Sequence, residues 1–395
     1  MILGSEYLLN NSFWLKKLKH KRIAYLGHSA SVNHKGKLIL SLLLKKKSLR
    51  ISCILSPQHG FFSNKQANMI TTENSFYKNL KVYSLYSKKT RRLTKEMKKQ
   101  FDVLLFDLQD VGCRIYTYIS TLFYLLEDLE NSPKTLIVLD RPNPLGRYVE
   151  GSLLKEEFKS FVGVAPLPMS HGFTLGEAAL WYKEVKKINT NLNVIKMKDY
   201  NTKNPWPENR VWILPSPNMT SLACSRCYLG SVLLEGTKIS EGRGTNLPFQ
   251  MLGRPQMNTK ACLKWIKENS PQFLKGCFLR PVEFEPSFDK FKNQICSGFQ
   301  IHLEKTWAKK GSFQAYRFIC SFLKAFREIH PSWKWKKLPP YEYEYKLDPI
   351  DIISGSSELQ KWIQDSSSSS KDWDDFLRQE EKLWKQQQKD FFLYP

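Results

Sequence analysis

The chain contains no uninterrupted apolar run of the roughly 20 residues that a membrane-spanning helix needs. Near its start the longest such run, Leu38 to Leu44, is broken by Ser41 and ends in Lys45-Lys46-Lys47. The opening "MILGSEYLLNNSFWLKK" places Glu6 early and offers no basic segment followed by an apolar core. Neither a cleaved export signal nor stable membrane insertion is therefore expected, and the expected location is cytoplasmic. No GxGxxG or GxxxxGKS/T comes after any strand-like segment, which disfavours a nucleotide phosphate cradle and with it a dehydrogenase or NTPase. Metal-site spacing is missing too. The eight cysteines, at 53, 113, 224, 227, 262, 277, 296 and 320, form one lone CxxC, Cys224-Ser-Arg-Cys227, without a second pair or histidines at matching distance. Several lie within apolar runs, the pattern of buried free thiols in a reducing compartment. Neither metal nor other cofactor is expected.

Acidic residues are the scarce charge: 37 Asp and Glu stand against 61 Lys and Arg, for a net charge of +24. Such an excess can hold nucleic acid or an anionic membrane. Here lysine dominates, and the clusters, such as Lys16-Lys17-Lys19-Lys21-Arg22 and Lys45-Lys46-Lys47, are spread thinly rather than gathered in one arm. That distribution fits a solvated surface, and no nucleic-acid partner is expected. With 395 residues, 42% of them apolar, the chain is long enough for two domains with separate cores.

What is present begins as a repeated theme. Short aliphatic runs, Ile23–Gly27, Ile51–Leu55, Val103–Asp107 and Thr135–Leu139, alternate with polar turns and stretches of helical period. Each run is apolar on both alternations, as a strand covered by helices on both faces must be. Right-handed crossovers then give a parallel sheet with its ligand cleft beyond the carboxyl ends of the strands. At those ends stand His28-Ser29, then Gln58-His59-Gly60, then Asp107-Leu-Gln109-Asp110, then Asp140-Arg141-Pro-Asn143. Each group has a structural alternative, since Asp and Asn also cap helices and make turns. Their coincidence on one rim favours a site.

Beyond Gly151 the pattern is more mixed, which divides the chain into 1–155 and 156–395. Thr174-Leu-Gly-Glu177 is a capping box opening a helix over Glu177–Lys187. A strand-like Val211–Leu214 leads into the rigid turn Pro215-Ser-Pro-Asn218. In Ser240-Glu241-Gly-Arg243-Gly-Thr245 two glycines flank an arginine and permit a nest of backbone N–H groups suited to an anion. Ser366 to Ser370 reads as a flexible spacer before a last helix over Asp372–Phe392 that packs on the surface.

Six stretches resemble a known family in order along nearly the whole chain: "FDLQDVGCRIYTYISTL", "VLDRPNPLGRYVEG", "SFVGVAPLPMSHGFTLGEAA", "PSPNM", "LLEGTKISEGRGTNLPFQMLG" and the ending "FFLYP". The family is that of the NamZ-type exo-β-N-acetylmuramidases. The resemblance implies a Rossmann-like parallel-sheet N-terminal domain, a second α/β (α+β) C-terminal domain and a cleft between them. It implies release of N-acetylmuramic acid from the non-reducing end of peptidoglycan fragments, so the expected partner is a peptidoglycan-derived sugar or muropeptide. Where the family usually has Pro-Glu-His-Gly, this chain has Pro57-Gln58-His59-Gly60. The neighbouring loop departs as well, at Phe62-Ser63-Asn64 and Asn68-Met69.

Glycoside hydrolysis normally takes two carboxyl groups, and an amide cannot stand in for either. Asp107 and Asp110 are the first candidates for a surviving carboxylate, and His59 is the titratable group nearest Gln58. Arg243, with Arg141 as second choice, suits the lactyl carboxylate of muramic acid because a guanidinium takes a carboxylate bidentately. Tyr116 suits stacking on a sugar ring. His28, Arg114, Asp140, Asn143, Asn218 and Glu241 complete the expected sugar-binding set. The alternative function is a catalytically silent descendant that still binds muropeptide sugars.

Overall fold

The computed structural model describes residues 1–66, 71–88, 90–303, 313–336, 341–342 and 344–395; the departure at Asn68-Met69 lies outside them. The strands are β1 (Arg22–Gly27), β2 (Arg50–Ser56), β3 (Ser75–Tyr77), β4 (Leu80–Ser84), β5 (Val103–Asp107), β6 (Thr135–Leu139), β7 (Val149–Glu150), β8 (Ser170–His171), β9 (Asn191–Ile195), β10 (Met251–Arg254), β11 (Cys277–Phe284) and β12 (Cys296–Leu303). Seven of them form one sheet in the order β3-β4-β2-β1-β5-β6-β9. All neighbours run parallel except the β3–β4 hairpin. The four expected strands are β1, β2, β5 and β6, and they pair side by side at its centre.

Their two-sided apolar character has a direct physical basis. Ala24, Leu26, Leu104 and Phe106 pack into one hydrophobic core, while Ile23, Tyr25, Val103 and Leu105 pack into another on the opposite face. The helix Leu175–Val185 opens with the expected capping box between Thr174 and Glu177. It leads to β9, which pairs with β6, so this sheet draws on chain well past residue 155.

The later part of the chain builds a three-stranded antiparallel sheet, β10-β12-β11, beside the helices Leu222–Ser231, Thr259–Asn269 and Ala315–Ile329. The strand-like run Val211–Leu214 joins no sheet. Pro205, Pro207, Pro215 and Pro217 surround it and donate no ladder hydrogen bonds, and Val211 is exposed. Among the described residues no helix is long and apolar enough to cross a membrane.

The serine run is a cap rather than a spacer. Ser367 bonds to Asp365, Ser368 receives Lys324 Nζ at 3.0 Å, and Ser369 forms a reciprocal capping box with Asp372 at the start of the helix Ser370–Gln388. Ser369→Ala is expected to lower unfolding free energy by about 1 kcal/mol, read from the midpoint of urea unfolding. That helix buries Trp373, Leu377 and Trp384, and Glu381 and Asp374 hold Arg317 of the helix Ala315–Ile329 at 2.6 and 2.7 Å. The chain end then returns to the large sheet, where the Tyr394 hydroxyl donates to Asp140 Oδ2 at 2.7 Å.

Candidate functional site

Where β2 ends, the turn Pro57–Gly60 carries two consecutive left-handed residues, His59 (φ 69°) and Gly60 (φ 79°). His59 tolerates that conformation because its ring is tied down, Nδ1 lying 2.7 Å from the carbonyl of Lys65. A carbonyl only accepts, so Nδ1 carries the hydrogen and Nε2 is the bare nitrogen. The turn aims Gln58 into a pocket whose opposite wall comes from the later half of the chain. Its lining includes Gln58, His59, Tyr116, Thr117 and Tyr118 from the first half and Asn218, Tyr228, Glu235, Arg243, Tyr341 and Glu342 from the second. It is narrow, with about 30 Å³ available to water centres, room for roughly one or two waters.

The hydrogen bonds of Gln58 fix its amide. The Thr117 hydroxyl donates to its Oε1 at 2.6 Å, and its Nε2 donates to Glu342 Oε1 at 3.4 Å. Glu342 Oε2 accepts from the Tyr86 hydroxyl at 2.6 Å. Burial pushes the Glu342 carboxyl up to about 6; the Tyr86 and Gln58 donors oppose that shift, and the charge of Glu235 adds to it. Glu235, on the turn Val232–Gly236, accepts from Arg243 Nη2 at 2.7 Å and from the Tyr341 hydroxyl at 2.6 Å. Burial opposes the charge on Arg243, but Glu235 and Glu241 outweigh it and hold the guanidinium protonated more firmly than usual. Burial also pushes His59 down to about 4, with Arg243 acting in the same direction, so the ring is neutral through the physiological range.

Of the thirteen residues singled out in the sequence, Gln58, His59, Tyr116, Asn218 and Arg243 meet in this pocket. The others are placed behind it or elsewhere, held by named partners. Asp107 binds the Tyr25 hydroxyl and Arg141 Nε at 2.6 and 2.7 Å, which also accounts for Arg141. Asp110 turns Oδ2 onto the Gly112 N–H at 2.7 Å. The His28 ring spans the Pro215 carbonyl and the Gln109 N–H, neutral because burial drives it down to about 3. Asp140 caps the helix Leu175–Val185 through Thr174 and Gly176. Asn143 closes a turn onto Leu145 and Phe173, and Arg114 is spent on four backbone carbonyls, those of Ser152, Leu167, Ile353 and Ser354. Glu241 stands behind Arg243 at 3.2 Å and takes Lys290 on its other oxygen at 2.8 Å. Arg243 therefore already answers two protein carboxylates, and a substrate carboxylate would compete with both.

The carboxyls that do line the pocket, Glu235 and Glu342, escaped the sequence reading. Glu235 lies inside the quoted "LLEG", and Glu342 opens the acidic-aromatic string Glu342-Tyr-Glu344-Tyr345, which follows no strand end. Among the described residues no three His, Cys, Asp or Glu side chains group as metal ligands. The Cys224 thiol faces the backbone carbonyls of Asn218 and Pro248.

Comparison with known proteins adds to this geometry. Models of the N-terminal and C-terminal parts of the exo-β-N-acetylmuramidase NamZ match residues 23–223 and 226–394. The peptidoglycan β-N-acetylmuramidase NamZ of Bacillus subtilis is 33% identical over 357 residues, 89% of this chain and 82% of that protein. Two DUF1343 family proteins from Bacteroides fragilis, each 26% identical, superpose with TM-scores of 0.86 and 0.77; both alignments cover 100% of this chain, and 99% and 98% of those chains. With both halves matched and the two-lobed fold shared, the chain belongs to the NamZ family of exo-β-N-acetylmuramidases.

Proposed function

We propose that this protein hydrolyses the β-glycosidic bond of a terminal N-acetylmuramic acid in peptidoglycan fragments, in the pocket between Gln58 on one side and Glu235 and Glu342 on the other. The observation that carries this reading is that the pocket keeps two buried carboxyls although position 58 has none, which is the equipment glycoside hydrolysis takes. The Bacillus subtilis relative, named for this activity, supports the substrate class. Tyr116 and Asn218 are the expected sugar contacts that this reading retains, and cytoplasmic recycling of wall fragments is the setting assigned to it. The pocket is narrower than a pyranose ring, so it must widen for a sugar to enter.

Purified protein incubated with a chromogenic β-linked N-acetylmuramic acid glycoside is expected to release the chromophore. If a carboxyl near 6 must be protonated, the rate declines as pH rises through about 6. No turnover anywhere between about pH 4 and 8 would sink the proposal. Gln58 itself favours a second reading, a silent binder of the same sugars, since an amide at that place moves no proton.

A further inference from the structure

We infer that Glu342 supplies the proton which a carboxyl at position 58 would supply, and that Gln58 is its positioning residue. This inference rests on the hydrolase reading. Four groups are excluded by what they already hold or by where they lie. His59 presents a bare Nε2, because its one ring hydrogen is given to Lys65. Glu235 has one oxygen on Arg243 and the other on Tyr341. Asp107 is bound on both oxygens, and neither it nor Asp110 lines the pocket. Glu342 differs. Tyr86 grips Oε2 at 2.6 Å, whereas among the described residues Oε1 meets only the long 3.4 Å contact from Gln58, so Oε1 is the atom able to carry a proton toward a ligand.

The amide sharpens this arrangement. Thr117 fixes which way Gln58 points, leaving only N–H donors turned to Glu342. A glutamate at position 58 would set two carboxyls in contact, and such pairs share one proton and titrate together. With glutamine there, the proton belongs to Glu342 alone. The other groups whose charge or hydrogen bonds bear on that carboxyl are Tyr86, Glu235 and Arg91. In the reaction the Oε1–H bond of Glu342 breaks and its proton goes to the glycosidic oxygen. The C1–O bond then breaks, its electron pair leaving on that oxygen as the free alcohol of the aglycone. The cation at C1 combines with water, and the proton so released returns to the Glu342 carboxylate.

The test compares parent, Glu342→Gln, Tyr86→Phe and Gln58→Glu on β-N-acetylmuramic acid glycosides carrying either a sugar or a dinitrophenyl leaving group. With the sugar leaving group, Glu342→Gln is expected to lose on the order of 10²-fold or more in kcat. With dinitrophenolate, which departs without protonation, most of that loss disappears. A merely structural role would not produce that selectivity. Tyr86→Phe keeps the carboxyl but removes a donor to its charged form, so the falling limb of the pH profile moves to higher pH; this arm serves if Glu342→Gln does not fold. An active parent whose Glu342→Gln form loses nothing, or loses equally on both substrates, overturns the inference and leaves the hydrolase reading standing, as does a Tyr86→Phe limb that stays in place. An inert parent with an active Gln58→Glu form overturns the inference and establishes the silent binder. Parent and Gln58→Glu both inert on both substrates overturn inference and hydrolase reading together.

Discussion

Arg243→Ala is expected to lower the free energy of unfolding by about 3–5 kcal/mol, seen as a marked drop in the urea midpoint at neutral pH. The guanidinium sits between two buried carboxylates, Glu235 at 2.7 Å and Glu241 at 3.2 Å, and Lys290 reaches Glu241 from the far side at 2.8 Å. Among the described residues Arg243 and Lys290 are the cations paired directly with these two carboxylates. Removing Arg243 takes away the cation that Glu235 and Glu241 share inside the fold, which is the costly way to break such a cluster. Phe249, whose ring lies 4.9 Å from the guanidinium carbon, loses a packing partner at the same time. Glu235→Gln in the Arg243→Ala background removes the charge of the carboxylate that lost its 2.7 Å partner and is expected to recover part of the loss. A double variant no more stable than Arg243→Ala alone would show that the cost lies in packing, not charge.

The same cluster shows how far the amino-acid pattern could be read. The glycine-flanked Arg243 looked made for an anion, and so it is, but the anions are Glu235 and Glu241 of the protein itself. Strands were legible because burial on both faces forces an unbroken aliphatic run, and Ile23–Gly27, Val103–Asp107 and Thr135–Leu139 are such runs. The polar groups after those strands were harder to assign. Asp140, capping a helix through Thr174 and Gly176, and Asp107, clamped by Tyr25 and Arg141, are of the same residue types and in the same places that a ligand site uses. Only the three-dimensional partners separate the two uses. Glu342 was out of reach for a different reason: it meets Gln58 across 284 positions of chain, and no local period records so distant a contact. Val211–Leu214 was misjudged in the opposite direction, a β-branched and aromatic run whose flanking prolines left it outside the sheets.

Asp110→Asn is expected to change the pH dependence of stability more than its value at any one pH. Burial pushes the Asp110 carboxyl up to about 7 from 3.8, although the N–H groups of Gly112 and Val111 pull the other way. Its Oδ1 is buried and has no hydrogen-bond partner among the described residues. Because the folded value lies above the unfolded one, the native chain keeps a proton that the unfolded chain has released throughout the interval between them. Stability therefore falls as pH rises from about 4 to about 7, by about 1.4 kcal/mol per pH unit from this group alone. Buried histidines act in the opposite sense: His28 and His171, both driven down to about 3, make the unfolded state the better proton binder below 6.5. The parent's own curve is flattened by that opposition, but both chains carry the same histidines, so the difference between them isolates Asp110. Measured by urea unfolding at several pH values, the stability of Asp110→Asn relative to the parent is expected to rise by about 3–5 kcal/mol between pH 4 and pH 7 and to level off above. A difference that stays constant across that interval would mean that the carboxyl ionises in the fold as it does in water, with its charge compensated by contacts other than the Gly112 amide.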